Sequence, residues 1–390
     1  MLKIHPKING EKMSSLKTAG NFTLLCIASL TIMVGTLLAP GLVTIADGLG
    51  IQSNSVLLIT LPSLGAVVFA PLAGRLIDKY GAYPLLIIGL FLYGLVGACA
   101  YFLHDPTLVF INRFALGGIT AIVMASCTVL ISTWYSGEAR LNMIAKQGMA
   151  IELGGVIFLF LGGVLASMYW GLPLALYLIA WVFLAMLLMF VPRKQQLNAQ
   201  NTEQTQQIKK SNSNALTLKG VYIVSTLAMT IFFTSTVLLP ITLHALNFNE
   251  SEIGQLLAFI SLIAVFTAGF MPKATKRLSE KNVLAIAFFA FGLSYLCFIQ
   301  SSTLILVLGA LLIGIGFGFS IPLLNHMTVE LSPENVRGRN LSYFTMAVFS
   351  GQFFTSFMEY IPGGEHNVFI ICSILSAVVA IALLVKPKAH

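Results

Sequence analysis

Residues 53–103 read SNSVLLITLPSLGAVVFAPLAGRLIDKYGAYPLLIIGLFLYGLVGACAYFL. The stretch holds two uncharged runs, separated by the charged segment between Arg75 and Lys79. Each run is about 20 residues long, which is the length at which an α-helix crosses a hydrocarbon layer of ~30 Å. Lipid offers no partners to backbone N–H and C=O groups, so the chain must satisfy them within a helix. The stretch therefore predicts two membrane-spanning helices joined by a short polar turn.

The rest of the chain continues this pattern of apolar runs and short polar loops. Of its 390 residues, 57% are hydrophobic and 9% are charged, which is too few polar side chains to cover a soluble protein. The short alternating segments typical of a transmembrane barrel are not found. The sequence predicts an all-α membrane protein with twelve transmembrane helices, the first over residues 21–45 and the eleventh over residues 340–360. The first run is too long for a signal peptide and is expected to be retained.

Positive charge alternates between the two sides of the predicted membrane. With the amino terminus placed in the cytoplasm, all 22 Lys and Arg residues except Arg113 fall in inner segments. The outer loops hold acids such as Asp105, Glu250 and Glu365. Lys and Arg are retained on the cytoplasmic side of membranes. The pattern predicts a multi-pass protein of the bacterial inner (plasma) membrane with both termini cytoplasmic, and the net charge of +8 does not indicate nucleic-acid binding.

One polar segment divides the chain. Residues 192–214 read PRKQQLNAQNTEQTQQIKKSNSN, which is rich in Gln and Asn and has no hydrophobic period, as is typical of a linker. The predicted organisation is a cytoplasmic tail (1–20), an N-terminal six-helix bundle (21–191), a cytoplasmic linker (192–217), a C-terminal six-helix bundle (218–385) and a cytoplasmic tail (386–390).

The two bundles carry matching short motifs. TLLAP at residues 36–40 recurs as TVLLP at residues 236–240, and Pro71 near the end of span 2 matches Pro272 near the end of span 8. These pairs indicate an internal duplication. Parallel six-span halves are a known transporter plan, in which the substrate site lies between the halves near the membrane midplane.

The loop between spans 2 and 3 reads Gly74-Arg75-Leu76-Ile77-Asp78-Lys79-Tyr80-Gly81. It resembles the loop signature G-x-L-x-D-[RK]-x-G of the major facilitator superfamily. The resemblance implies a secondary transporter of two six-helix bundles that works by alternating access. It also implies a gating loop of Gly74, Asp78, Lys79 and Gly81, in which Asp78 holds the halves together on the cytoplasmic side by facing the start of span 11. The alternative is an ordinary solvated turn.

Span 4 begins with Asn112 and Arg113 and continues to Gly117. This is similar to the R-x-x-x-G pattern of the same family, in which the arginine takes part in proton coupling, so Arg113 is a proton-coupling candidate. An arginine within a span costs ~2.5–3.5 kcal/mol on insertion scales and therefore usually has a partner or a cavity. The alternative is that its side chain extends to the outer headgroups.

Span 5 contains an acid, Glu152. A carboxyl group in a low-dielectric site favours its neutral form, which suits reversible protonation. Glu152 is the second proton-coupling candidate, with a structural hydrogen bond near the inner interface as the alternative. The predicted spans put Arg113 and Glu152 near opposite membrane faces, so no ion pair between the two is expected. The following Gly154, Gly162 and Gly163 resemble part of the antiporter motif of proton-coupled drug exporters in the family, although such glycines also serve helix packing.

Four further residues are candidates for lining a substrate cavity. Asn325 and His326 follow a glycine-rich stretch of span 10, Gln352 lies within span 11, and Phe232 lies within span 7. Polar groups inside spans either face a cavity or form hydrogen bonds between helices. The phenylalanine could equally pack against lipid or other helices.

The predicted function is secondary active transport, with proton-coupled export of a small amphipathic or drug-like compound as the first hypothesis. The alternative is an importer or facilitator of a small metabolite on the same fold, and a membrane receptor or enzyme comes third. The histidines are scattered and no Gly-rich nucleotide loop is found, so no catalytic residues, no metal and no cofactor are expected, and the proton gradient is the expected energy source. The expected partners are a small-molecule substrate, protons and membrane lipid, with no nucleic acid, and the chain is expected to be a monomer.

Overall fold

The computed structural model of the chain describes residues 16–135, 137–193, 216–300, 302–333 and 337–385. The remaining residues, which include most of the predicted linker and tails, lie outside the described part. All regular structure in the described residues is helical.

The helices follow one another in the chain with short connections. The N-terminal half contains α1 (Thr18–Thr36), α2 (Leu42–Gly48), α3 (Leu57–Tyr80), α4 (Ala82–Cys99), α5 (Pro106–Trp134), α6 (Gly137–Met168), α7 (Leu172–Ala175) and α8 (Ile179–Phe190). The C-terminal half contains α9 (Leu218–Ala245), α10 (Glu250–Leu278), α11 (Glu280–Phe298), α12 (Thr303–Glu330), α13 (Arg337–Phe354) and α14 (Gly364–Leu384). Short 3₁₀ segments follow α4 (Ala100–Phe102), α7 (Leu176–Leu178) and α13 (Thr355–Tyr360).

Eleven helical segments of the described chain are long and apolar enough to cross a membrane. The segment predicted as the eleventh span, α13, is not among them, so the count of twelve is not confirmed. Its sequence RGRNLSYFTMAVFSGQFF is rich in polar residues, and the helix packs against α9 and α3. A helix that satisfies its polar side chains against neighbouring helices needs less apolar surface than one that faces lipid.

The first predicted span is broken, contrary to the expectation of one helix over residues 21–45. Helix α1 ends at Thr36 and α2 begins at Leu42. Pro40 lies between them, and a proline cannot donate a backbone hydrogen bond within a helix. The matching Pro240 lies inside the continuous helix α9, so the two halves differ at this point.

Charge divides the helix ends into two faces. The Lys and Arg residues whose side chains the structure describes, other than Arg113, lie at one of them, which we call the basic face: Lys17, Arg75, Lys79, Lys146, Arg193, Lys219, Lys273, Lys276, Arg277, Lys281 and Arg339. The chain reverses tightly there at Gly81 (φ 86°) and at Ser279 (φ 69°), which are corresponding positions of the two halves. The other end of the bundle, which carries Asp105, Glu250 and Glu365, is called the opposite face.

Corresponding contacts recur inside the two halves. The Tyr93 hydroxyl of α4 donates to the Leu30 carbonyl of α1 at 2.7 Å, and the Tyr295 hydroxyl of α11 donates to the Ile231 carbonyl of α9. Both tyrosines are fully buried. The duplicated sequence motifs therefore coincide with duplicated packing.

The halves meet along two seams, one of which consists of α6 and α10. We call its contact the glycine seam, because a Cβ atom on Gly163 would lie 2.8 Å from the Cα of Gly254 and 2.4 Å from the carbonyl oxygen of Glu250. Further along the same helices, toward the basic face, a Cβ atom on Gly148 or Gly269 would meet no atom within 4 Å. The two helices therefore touch near the opposite face, and these two glycines have open space beside them near the basic face.

The variant Gly163→Val is expected to prevent the close contact between α6 and α10, because the valine side chain would overlap the backbone of α10. Overpacking of this kind costs about 1–3 kcal/mol, which would raise the population open at the opposite face roughly tenfold. Distances between spin labels at Ser53 and Asn247 would report the change. Gly269→Val is the matched control, since open space lies beside that residue, and an equal response from both variants would contradict the contact.

Candidate functional site

A small cavity of about 30 Å³ lies between the two halves. The N-terminal half contributes side chains from α1 and α6, and the C-terminal half contributes side chains from α9, α10 and α12. The polar residues that line it are Thr36, Glu152, Thr236 and Ser261, and the aromatic residues are Phe232, Phe233 and Phe317. The position of this cavity between the halves makes it the candidate substrate site.

Glu152 lies at the middle of α6 and lines this cavity. Its side chain is half-buried, and none of the hydrogen bonds or ion pairs found within the described part of the chain involves it. Gly155, on the next turn of α6, also lines the cavity, and a Cβ atom on it would lie 3.8 Å from the Ser261 hydroxyl oxygen of α10. A carboxylate without protein partners at this depth is available to a proton or to a ligand. Its predicted coupling role stays a prediction.

The wall of the cavity that the C-terminal half forms is aromatic and carries hydroxyl groups. The predicted cavity residue Phe232 stacks on Phe317, with ring centroids 3.9 Å apart and planes 29° apart. Thr236 and Ser261 are 5% and 8% exposed, and their hydroxyl groups have no hydrogen-bond partner in the described residues. Buried hydroxyl groups are usually hydrogen-bonded, so these two are available to a ligand or to water.

The sequence contained a signal for two of the residues that were not predicted. Thr36 and Thr236 both line the cavity, and they are the first residues of the repeated motifs TLLAP and TVLLP. The repeat indicates a duplication, and by itself it gives these threonines no role. Phe317 and Ser261 had no comparable signal, because each lies in an apolar run without a matching motif.

Arg113 does not lie in this cavity. Its Nε donates to the Leu58 carbonyl at 2.9 Å, and one Nη donates at 3.0 Å both to the Val34 carbonyl and to the Tyr177 hydroxyl. The side chain is fully buried and does not extend to the headgroups. It connects α1, α3 and the 3₁₀ segment before α8.

The other predicted cavity residues lie elsewhere. Asn325 and His326 are exposed near the basic-face end of α12 and do not line the central cavity. Gln352 is buried, and its Oε1 accepts a hydrogen bond from the Ser63 hydroxyl at 2.7 Å. The alternative of an interhelical hydrogen bond is therefore the one that the structure shows for Gln352.

The loop predicted to act as a gate lies at the basic face. Asp78 and Lys79 are exposed, and Asp78 has no hydrogen bond or ion pair with described residues. A Cβ atom on Gly74 would meet nothing within 4 Å, so no helix approaches closely there. Gly81 makes the sharp turn that was predicted, because its positive φ separates α3 from α4. Among the described residues the loop forms no bond between the halves, and its gating role stays a prediction.

A larger cavity of about 220 Å³ opens at the opposite face, where Asp47, Glu359 and Glu365 are among the lining residues. Both cavities are lined by residues of the two halves, and we assign the substrate site to the smaller one because it contains Glu152, which has no partner among the described residues. No group of three or more His, Cys, Asp or Glu residues suited to a metal occurs in the part of the chain that the structure describes.

Comparison with known proteins places the chain in a family. The family model of the Major Facilitator Superfamily matches residues 24–356. The multi-drug resistance efflux pump PmrA of Streptococcus pneumoniae is 25% identical over 344 residues, which cover 84% of this chain and 83% of the pump. The class H tetracycline resistance protein of Pasteurella multocida is 26% identical over 247 residues, or 59% of each chain.

A solved structure shows the same fold. The crystal structure of the nucleoside transporter NupG aligns with a TM-score of 0.73 at 16% identity, covering 97% of this chain and 100% of that chain. The family match confirms the resemblance seen in the loop at Gly74–Gly81. The chain therefore belongs to the major facilitator superfamily, and it is a multi-pass membrane transporter rather than an enzyme.

Proposed function

We propose that this protein is a proton-coupled exporter of a small amphipathic or drug-like compound, working by alternating access. The observation that carries the proposal is the position of Glu152, whose carboxylate lines a cavity between the halves and has no partner in the part of the chain that the structure describes. The stacked pair of Phe232 and Phe317 on the other wall offers an apolar surface to such a compound. The relatives named as a multi-drug efflux pump and a tetracycline resistance protein favour export.

Orientation follows from charge. The basic face belongs in the cytoplasm by the positive-inside rule. The glycine seam brings α6 against α10 near the opposite face, and open space lies beside Gly148 and Gly269 near the basic face; both observations support an inward-facing conformation. An exporter loads its substrate in this state.

In the coupling step, Glu152 takes part both in proton transfer and in substrate binding and release. In the outward-facing state the higher proton concentration protonates the carboxylate and favours release of the substrate. In the inward-facing state the proton leaves, and substrate binding follows. Such an exchange needs only that proton and substrate disfavour each other at one site.

Transport assays in inverted membrane vesicles test this proposal. A panel of amphipathic dyes, antibiotics and small metabolites would be offered with and without an imposed proton gradient. The expected result is accumulation of one or more amphipathic compounds inside the vesicles when the gradient is present. Gradient-driven movement of a metabolite in the other direction would instead indicate an importer, and movement unaffected by the gradient would indicate a facilitator.

Removal of the two free hydroxyl groups is expected to weaken substrate binding. In the variant Thr236→Val with Ser261→Ala, up to two hydrogen bonds to the substrate are lost, each worth about 0.5–1.5 kcal/mol. The KM of a transported compound should rise roughly 5- to 100-fold, with little change in the maximal rate. Thr234→Val is the matched control, because that hydroxyl already donates to the Thr230 carbonyl at 2.7 Å within its own helix. An unchanged KM in the double variant would remove these hydroxyl groups from the site.

A further inference from the structure

The second seam between the halves is polar and buried. It joins α3 of the N-terminal half to α13 and the following 3₁₀ segment of the C-terminal half. The Ser63 hydroxyl donates to Gln352 Oε1 at 2.7 Å, and the Ser356 hydroxyl donates to Thr60 Oγ1 at 2.6 Å. All four side chains are buried, with exposed fractions between 0% for Thr60 and 7% for Gln352.

These bonds differ from the other contacts between the halves. The glycine seam brings backbone against backbone and depends on close packing. Two further hydrogen bonds between the halves, from Tyr360 to Asn54 and from Thr44 to Glu250, involve side chains that are exposed or half-buried. Water competes for the hydrogen bonds of such groups, so the buried pairs contribute more to holding the halves together than the exposed pairs do.

The position of the buried pairs indicates what they control. Thr60 and Ser63 lie within two turns of the opposite-face end of α3. Gln352 lies at the corresponding end of α13, and Ser356 lies in the 3₁₀ segment that follows it. Nearer the basic face, the same helix α3 exposes Leu72 and Tyr80. The bonds therefore join the halves at the same end as the glycine seam.

We propose that Thr60, Ser63, Gln352 and Ser356 form a latch that holds the opposite face closed and sets the balance between the two open states of the transporter. Opening the opposite face must separate α3 from α13 and break both bonds. The four groups then meet water entering the cavity, so each regains a partner and the cost of opening stays small enough for reversal. Apolar side chains at these positions would lack both the directional bond and the hydration that replaces it.

The inference rests on alternating access within the proposed function, and it is independent of export and of proton coupling. It can therefore be tested without a substrate or a gradient. Spin labels would be placed at Ser53 and His366, which are exposed on the two halves at the opposite face, in a background without the native cysteines. The distance distribution between the labels gives the ratio of opened to closed protein.

The variant Thr60→Val with Ser63→Ala removes both bonds from the α3 side. Its ratio of opened to closed protein is expected to exceed that of the parent roughly tenfold or more. The control, Thr355→Val with Ser225→Ala, removes buried hydroxyl groups whose bonds stay within the C-terminal half, and it should match the parent. A ratio in the double variant equal to that of the control would overturn the proposal.

A second variant distinguishes the loss of these bonds from misfolding of the first variant. Gln352→Met with Ser356→Ala breaks the same bonds from the α13 side and should give the same shift. A shift in one variant and none in the other would contradict a shared latch. Recovery of neither variant as folded protein would mark these bonds as structural and would overturn the proposal as well.

Discussion

Glutamine at Glu152 is expected to abolish gradient-driven accumulation while leaving the protein folded. A pH difference of one unit stores about 1.4 kcal/mol per proton, which supports a roughly tenfold accumulation of a compound exchanged one for one. Glutamine has nearly the shape of glutamate but binds no proton in this range. The accumulation ratio of Glu152→Gln should therefore fall to about one at any imposed gradient.

The measurement uses proteoliposomes with an imposed pH gradient and a compound identified in the vesicle assay. Exchange of labelled for unlabelled compound without a gradient checks that the variant still reorients. Glu330→Gln is the matched control, because Glu330 is exposed at the basic-face end of α12. Full gradient-driven accumulation by Glu152→Gln would exclude this carboxylate as the coupling group.

The second large effect is expected on the stability of the protein when Arg113 is replaced by alanine. Alanine there removes the donors to the Leu58 and Val34 carbonyls and to the Tyr177 hydroxyl. It also leaves a cavity where a fully buried side chain stood. Hydrogen bonds to charged groups are worth about 1.5–3 kcal/mol each, and unsatisfied buried acceptors add to the loss. We expect the free energy of unfolding to fall by roughly 3–5 kcal/mol.

Unfolding of purified protein in mixed micelles, followed as a function of SDS, measures this change. Lysine at Arg113 should recover only part of the loss, because one ammonium group cannot reproduce the planar, branched geometry of a guanidinium. Arg193→Ala is the control, since Arg193 is exposed just beyond α8. If Arg113→Ala unfolds like the control and loses only transport, the side chain acts in coupling and not as a connection between helices.

Some features of this protein could be predicted from the sequence because they depend on local composition. Apolar runs of membrane-spanning length gave the helical class, and the loop from Gly74 to Gly81 gave the family. The turn at Gly81 required a positive φ, and the sequence supplies a glycine there. The repeated motifs at Thr36 and Thr236 marked two positions that the fold brings to one cavity.

Other features depend on which helices pack against each other. The helical period of a sequence shows which side of a helix is buried, but it does not show which other helix covers that side. Gln352 looked like a cavity residue, but it meets Ser63, which lies 289 positions away in the chain. Arg113 was expected to bind a partner, to face a cavity or to extend to the lipid headgroups. Its guanidinium instead donates hydrogen bonds to backbone carbonyl groups, which no sequence motif marks. Composition determined that the chain crosses the membrane, whereas only the packing of the two halves decided which polar groups face a cavity and which face one another.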